Sequence, residues 1–145
     1  MYLVDTNVIS ALAPTKNGRN GDLVEWLDQA SPGLFLSVVT AAEVQSGISK
    51  AEREGATTKA RRLGEWWESI EYLYGKKILS FDLDCARVAG RLLDEARAHQ
   101  PGFEDIAIAA TASVHRLTVL TRNLRHFEPL GIPVIDPFER LPPPP

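Results

Sequence analysis

The chain opens with an apolar run that is too short for a helix and that stops at a carboxylate: Met1-Tyr2-Leu3-Val4-Asp5-Thr6-Asn7. A few apolar residues closed by turn-forming polar ones read as a buried strand. A strand with no polar face belongs in a parallel sheet covered by helices on both sides. Asp5 then stands at the strand's carboxyl end, where open α/β sheets place their ligands. Four more short runs repeat the theme: Leu34 to Val39, Ile78 to Phe81, Thr118 to Thr121 and Pro133 to Ile135. Helical patterns separate them, so the expected architecture is α/β, with a central, mostly parallel five-stranded sheet flanked by helices.

The helical segments are read from spacing and punctuation. Val8 to Ala13 is a short helix stopped by Pro14, and 15–21, rich in Gly, Asn and basic residues, is an exposed loop. Asp22 is a candidate cap for a helix carrying Leu23, Trp26 and Leu27. Thr40 opens the next helix, with Val44 and Ile48 inward. Lys50 to Arg62 is a charged stretch containing Gly55. Beyond it, Leu63, Trp66, Trp67, Ile70 and Tyr74 share one side of a long helix. Adjacent tryptophans point about 100° apart on a helix, so Trp66 and Trp67 cannot both sit centrally in the core. One is core, and the other is left to meet a partner or a second subunit. Asp82 or Asp84 caps a helix carrying Ala86, Ala89 and Leu93. Asp105 to His115 is a helix whose small residues permit close approach to a sheet.

Composition excludes more than it selects. At 145 residues, with 44% hydrophobic and 24% charged residues, the chain suits one soluble domain with a real core. No apolar stretch approaches the length of a membrane span, and the amino terminus lacks the pattern of a signal peptide. The single cysteine, Cys85, cannot form an internal disulfide, which favours the cytoplasm. A net charge of −3 speaks against a non-specific nucleic-acid coat but not against a nuclease, whose site acids a cation would neutralise. No Gly-rich loop with Lys-Ser or Lys-Thr marks a P-loop.

Each acid at a junction has a structural reading beside a functional one. Asp5 is either a cap for the following helix or a metal ligand. Thr40-Ala41-Ala42-Glu43 matches a capping box, which alone would explain Glu43. Glu104 and Asp105 are both favoured by a helix dipole. Asp105 aligns with Ala109 on the face expected to pack, so it is preferred, with Glu104 as a supporting acid. The combination carries the argument. Three carboxylates brought to one sheet edge repel one another, and a divalent cation removes that conflict. Oxygen donors without a Cys/His set suit Mg2+ or Mn2+ rather than zinc. In the last junction, Thr121-Arg122-Asn123-Leu124-Arg125-His126-Phe127, Asn123 and His126 are candidate metal neighbours. Thr6, Asn7 and Thr121 are candidates for orienting carboxylates or waters, although Thr6 and Asn7 equally suit a turn. Arg122 and Arg125 are candidate contacts to backbone phosphates of a nucleic acid, against a reading as plain surface charge.

In order and spacing, Leu3-Val4-Asp5-Thr6-Asn7, Thr40 to Gly47, Asp105 to Ala112, Thr121 to Phe127 and the closing Gly131 to Phe138 resemble the PIN-domain ribonucleases. The nearest group is the VapC-like toxins of toxin–antitoxin pairs, in particular the FitB-like and plasmid-stability proteins. The resemblance implies a PIN domain over 1–138, leaving a proline-rich tail at 139–145, whose Pro142 to Pro145 by composition prefer an extended, solvated conformation. It implies that Asp5, Glu43 and Asp105 are the catalytic, metal-holding acids of an Mg2+- or Mn2+-dependent endoribonuclease. It further implies a homodimer silenced by a VapB/FitA-like antitoxin, assembling with it on operator DNA. One departure stands out: where many relatives carry a fourth acid before the phenylalanine, this chain has His126. Losing an anion there should weaken a second metal position and favour manganese, since imidazole is the softer ligand. Two other classes compete. A PIN-like module could act mainly by holding an antitoxin on DNA. An aspartyl-nucleophile phosphatase would want Asp, not Asn, at position 7.

Overall fold

The computed structural model describes residues 1–14 and 20–145, so most of the loop expected at 15–21 lies outside the described residues. Five short parallel strands form one sheet in the order β3-β2-β1-β4-β5: β1 Tyr2–Val4, β2 Leu34–Ser37, β3 Ile78–Leu79, β4 Thr118–Leu120 and β5 Val134–Ile135. The helices are α1 Thr6–Ile9, α2 Gly21–Ala30, α3 Val38–Arg53, α4 Thr57–Tyr74, α5 Leu83–Glu95, α6 Phe103–His115 and α7 Leu124–Phe127. Among the described residues, no helix is long and apolar enough to cross a membrane.

The strand order explains why the site forms where it does. The chain winds outward from β1 through β2 to β3, then returns to β1's other side for β4 and β5. The switch point lies between β1 and β4, and a crevice opens there at the carboxyl ends of the strands. Strand alternation divides the core into two layers. Tyr2, Val4, Leu34, Leu36 and Leu120 face a layer built with α1 to α4, where Leu27, Val44, Trp67 and Ile70 are buried. Leu3 and Val119 face the layer built with α5 to α7, beside Ala109, Ala112 and Phe127. Residues from Ile106 to Ala112 are all buried, so α6 is enclosed on every side. Thr111 survives there because its hydroxyl donates to the Ala107 carbonyl at 2.8 Å.

Several boundaries differ from the sequence reading. β2 stops at Ser37, and Val38 and Val39 are already helical despite their β-branched side chains. The Ser37 hydroxyl accepts from the Val39 N–H at 3.0 Å and is the true cap of α3. Thr40 is therefore inside the helix, and the capping box with Glu43 does not form. Asn20 precedes α2, leaving Asp22 in its first turn. α1 begins at Thr6, immediately after Asp5, and α6 begins at Phe103. The charged stretch after Lys50 is largely helical. It is broken at Gly55, whose φ of +79° suits a residue without a Cβ. Asp82 caps α5 as expected, accepting from the Cys85 N–H at 3.0 Å. The tryptophans divide as expected: Trp67 is buried and Trp66 is half-buried.

Of the carboxyl-terminal prolines, Pro143, Pro144 and Pro145 are exposed as expected, but the tail is not free. Pro142 is buried, and the Tyr2 hydroxyl donates to the Pro143 carbonyl at 2.7 Å. The Pro145 ring occupies the space above Gly33 where any side chain would collide. The tail thus straps the amino ends of β1 and β2. Tyr2→Phe should lower the unfolding free energy by about 0.5–1.5 kcal/mol, the worth of one such hydrogen bond. In urea titrations that loss should vanish in a background lacking 141–145, because the acceptor has gone.

Candidate active site

β1 ends at Val4, and the Asp5 N–H still donates to the Leu120 carbonyl at 2.9 Å. This extra rung places Asp5 opposite Thr121, the first residue beyond β4. The Thr121 hydroxyl donates to Asp5 Oδ2 at 2.8 Å. Asp5 Oδ1 accepts from the Thr6 N–H at 2.8 Å, so the residue does cap α1. Capping uses one oxygen and leaves the carboxylate facing the crevice. The Asn7 side chain reaches 3.4 Å from both Asp5 Oδ2 and Thr121 Oγ1, while its carbonyl oxygen accepts from the Arg122 N–H at 3.1 Å. Thr6, Asn7 and Thr121 therefore do more than shape turns: they fix the orientation of one carboxylate.

α3 supplies the second acid. Thr6 Oγ1 lies 2.8 Å from Glu43 Oε1 and 2.9 Å from the buried Thr40 Oγ1. A hydroxyl has one proton to give. Thr6 gives it to the Glu43 carboxylate and receives that of Thr40, forming a chain of three. This role for Thr40 had no signal in the sequence beyond its place near Glu43. The third acid, Asp105 in the first turn of α6, has its Oδ2 3.0 Å from His126 Nδ1. Burial grades outward: Asp5 is 5% exposed, the Asp105 side chain 21%, the His126 side chain 58%, and Glu43 lies at the rim.

Other candidates are placed less centrally. Glu104 is exposed, and its carboxylate turns back toward Gly102 rather than toward Asp5. Asn123 is engaged through its backbone: its N–H donates to Thr121 Oγ1 and its carbonyl accepts from the His126 N–H, each at 3.0 Å. Arg125 is exposed on the groove wall beside His126. The Arg122 guanidinium lies over the Phe138 ring at 4.0 Å from its centroid, a contact the sequence did not disclose.

Electrostatically, the crevice gathers three acids, and the basic group bonded to one of them is the His126 ring beside Asp105. The Asp5 pKa is pushed up to about 6. Burial is the main cause, opposed by the bonds from Thr121 and Thr6 and reinforced by the charges of Asp105 and Glu43. No Lys or Arg among the described residues pairs with any of the three acids. Nor do three His, Cys, Asp or Glu side chains among them lie close enough together to hold a metal ion between them. A hard cation such as Mg2+ keeps several waters and needs only one or two carboxylates, so the open arrangement fits such an ion better than zinc. Without a cation, Asp5 keeps its proton up to about pH 6, well above an ordinary carboxylate.

A doubly covered parallel sheet with an acidic crevice at its switch point defines the class, and the comparisons supply the family. The family model described as PIN domain matches residues 2–130. The chain is 35% identical to the plasmid stability protein StbB of Pseudomonas syringae pv. tomato, over 96% of this chain and 99% of that one. It is 33% identical to the VapC ribonuclease Y4jK of Sinorhizobium fredii, again over 96% and 99%. The crystal structure of FitAcB from Neisseria gonorrhoeae superimposes with a TM-score of 0.82 at 34% identity, covering 95% of this chain and 99% of that one. A structure of FitAB bound to an IR36 DNA fragment gives 0.78 at 32% identity, covering 95% and 96%. This chain belongs to the PIN-domain family.

The raised Asp5 pKa has a thermodynamic consequence. Its folded-state value lies above the unfolded one of 3.8, so the contribution it makes is fully present below about pH 4 and is lost as pH rises through about 6. In EDTA, Asp5→Asn should therefore raise stability by on the order of 1–3 kcal/mol at pH 7–8. The gain should shrink toward zero near pH 4. Thermal unfolding of both proteins across that range checks it.

Proposed function

We propose that this protein is a divalent-metal-dependent endoribonuclease, the toxin of a toxin–antitoxin pair. The observation that carries the reading is the buried Asp5 carboxylate at the switch point, which feels the charges of Asp105 and Glu43 and has no Lys or Arg among the described residues paired with it. The family membership and the ribonuclease and toxin relatives support it. Asp5 and Asp105 would hold an Mg2+ or Mn2+ ion, with Glu43 directly or through water, and His126 and Asn123 beside it. When bound, the ion supplies a hydroxide nucleophile near neutral pH and offsets charge on the phosphoryl oxygens.

The remaining work falls to the chain's own residues. Thr121 and Asn7 hold the Asp5 carboxylate in one orientation, so it need not reorganise as the phosphate arrives. Thr6 fixes Glu43 across the crevice. His126 orients Asp105 and stands where another relative would offer an acid. Arg122 and Arg125 meet the RNA backbone, which positions the chain without reading its sequence. Family resemblance and the similarity to the FitAcB and DNA-bound FitAB structures favour a VapB/FitA-like antitoxin as partner. We extend this to a homodimer, assembly with the antitoxin on operator DNA, and a cytoplasmic setting.

A second reading is a PIN-domain module acting mainly with its antitoxin on DNA. It is favoured by one observation: His126 in place of an acid, in a site that is not closed.

Purified, antitoxin-free protein incubated with total RNA should cut it in Mn2+ or Mg2+ and not in EDTA. Asp5→Asn and Asp105→Asn should each reduce the rate by at least about a hundredfold, as loss of several kcal/mol of charge stabilisation requires. Absence of cutting by folded protein under every metal would move the conclusion to the binding module.

His126→Asp should raise the Mg2+-supported rate relative to the Mn2+-supported one. An unchanged ratio in the same assay would deny His126 any part in metal choice.

A further inference from the structure

We propose that Arg122 is a clamp for an RNA backbone phosphate at the rim of the acidic crevice, and that Phe138 is the residue that positions it. The inference rests on the ribonuclease reading above. Arg122 directly follows Thr121, the residue bonded to Asp5, and its own N–H is tied to the Asn7 carbonyl oxygen at 3.1 Å. Its backbone therefore cannot drift from the acids. Its side chain is exposed and forms no ion pair among the described residues, although Glu128, Asp136 and Glu139 line the same groove. Instead the guanidinium stacks over Phe138.

Phe138 is itself held from two directions. Its N–H donates to Asp136 Oδ1 at 2.9 Å, and its ring packs on the apolar layer that contains Tyr2 and Val4. A surface arginine ordinarily spends rotamer entropy to make any contact, so a fixed platform lowers the cost of ordering it. Stacking engages the flat face of the guanidinium and leaves its in-plane N–H donors for phosphate oxygens, which it can grip in pairs. A polyanion approaching an edge lined with carboxylates needs a cation placed before it reaches them. Arg122 lines a groove together with Arg125 and with His126, which is bonded to Asp105, and a lysine there would keep the charge without the planar stack.

The test is steady-state kinetics in Mn2+ on a labelled single-stranded RNA spanning a site cut in total RNA, repeated at several KCl concentrations. Arg122→Gln should raise KM and lower the salt dependence by about one counterion. Phe138→Leu should raise KM about two- to fivefold, with the loss falling on KM rather than kcat. Phe138→Tyr, which keeps the ring face, should restore the intact KM. The double variant should be no worse than Arg122→Gln alone. Arg122→Lys, at a surface position, should show the Phe138→Leu defect even if the latter folds poorly. Additive losses in the double variant, or an intact KM in Arg122→Lys, would overturn the proposal while leaving the ribonuclease reading in place. Failure of the intact protein to cut RNA at all would overturn both.

Discussion

The hydrogen bond from the Asp5 N–H to the Leu120 carbonyl is the rung on which the site depends. It carries the β1–β4 ladder one residue past the last strand position, so the two chains leave the sheet still in register. Because β1 and β4 flank the switch point, the register that pairs Val4 with Leu120 also sets Asp5 against Thr121. A parallel ladder has fixed spacing, and a slip of one residue would turn Leu3 and Val119 into the wrong core layer. The apolar burial of those residues thus defends the geometry of a polar site they do not touch.

That geometry holds the Asp5 carboxylate in a buried position. Burial and two like charges push Asp5 toward its neutral form, and three hydroxyl or amide donors only partly offset this. Proteins commonly keep such locally unfavourable groups where chemistry needs them, and their stability comes from elsewhere in the fold. Here it comes from two apolar layers, from α6 enclosed among small residues, and from the proline strap across the opposite edge. The strap and the crevice lie at opposite ends of β1. Changes to one can therefore be separated experimentally from changes to the other.

The crevice is graded rather than uniform. Asp5 is rigid and buried, Asp105 is half-covered beside His126, and Glu43 lies at the rim, steered by a hydroxyl from α1. Each acid comes from a different segment, Asp5 from the β1–α1 junction, Glu43 from α3 after β2 and Asp105 from the first turn of α6 after α5, and each is braced by a residue from elsewhere: Thr121 for Asp5, Thr6 for Glu43, His126 for Asp105. The bracing is what makes separate loops behave as one site, since a displaced junction would disturb its neighbour's carboxylate as well as its own.

Much of this was legible in the amino-acid sequence. Short apolar runs alternating with helical spacing imply a parallel sheet, because a strand without a polar face must be covered twice. An acid at the end of such a run, as Asp5 is, is placed at the ligand edge by topology; Asp105 follows the Pro101-Gly102 break instead of a strand, and the family resemblance grouped it with Asp5 and Glu43. The face shared with Ala109 favoured Asp105 over Glu104. What local pattern could not decide was competition between equally good partners. Ser37 took the cap that Thr40 seemed suited to, since β2 ends where its pairing with β1 and β3 ends, not where β-branched residues run out. Thr40 was thereby freed to join Thr6 and Glu43. The tail prolines, whose composition suggested only solvation, found a phenol and a bare glycine presented by distant elements. Arg122 met Phe138 because β4 and β5 are neighbours in the sheet. Periodicity and chain punctuation operate over a few residues, and the sequence by itself determined what depends on them: the fold class and the edge at which the acids gather. Hydrogen-bond partners and stacked rings are chosen by distance in space, and those only the tertiary structure decided.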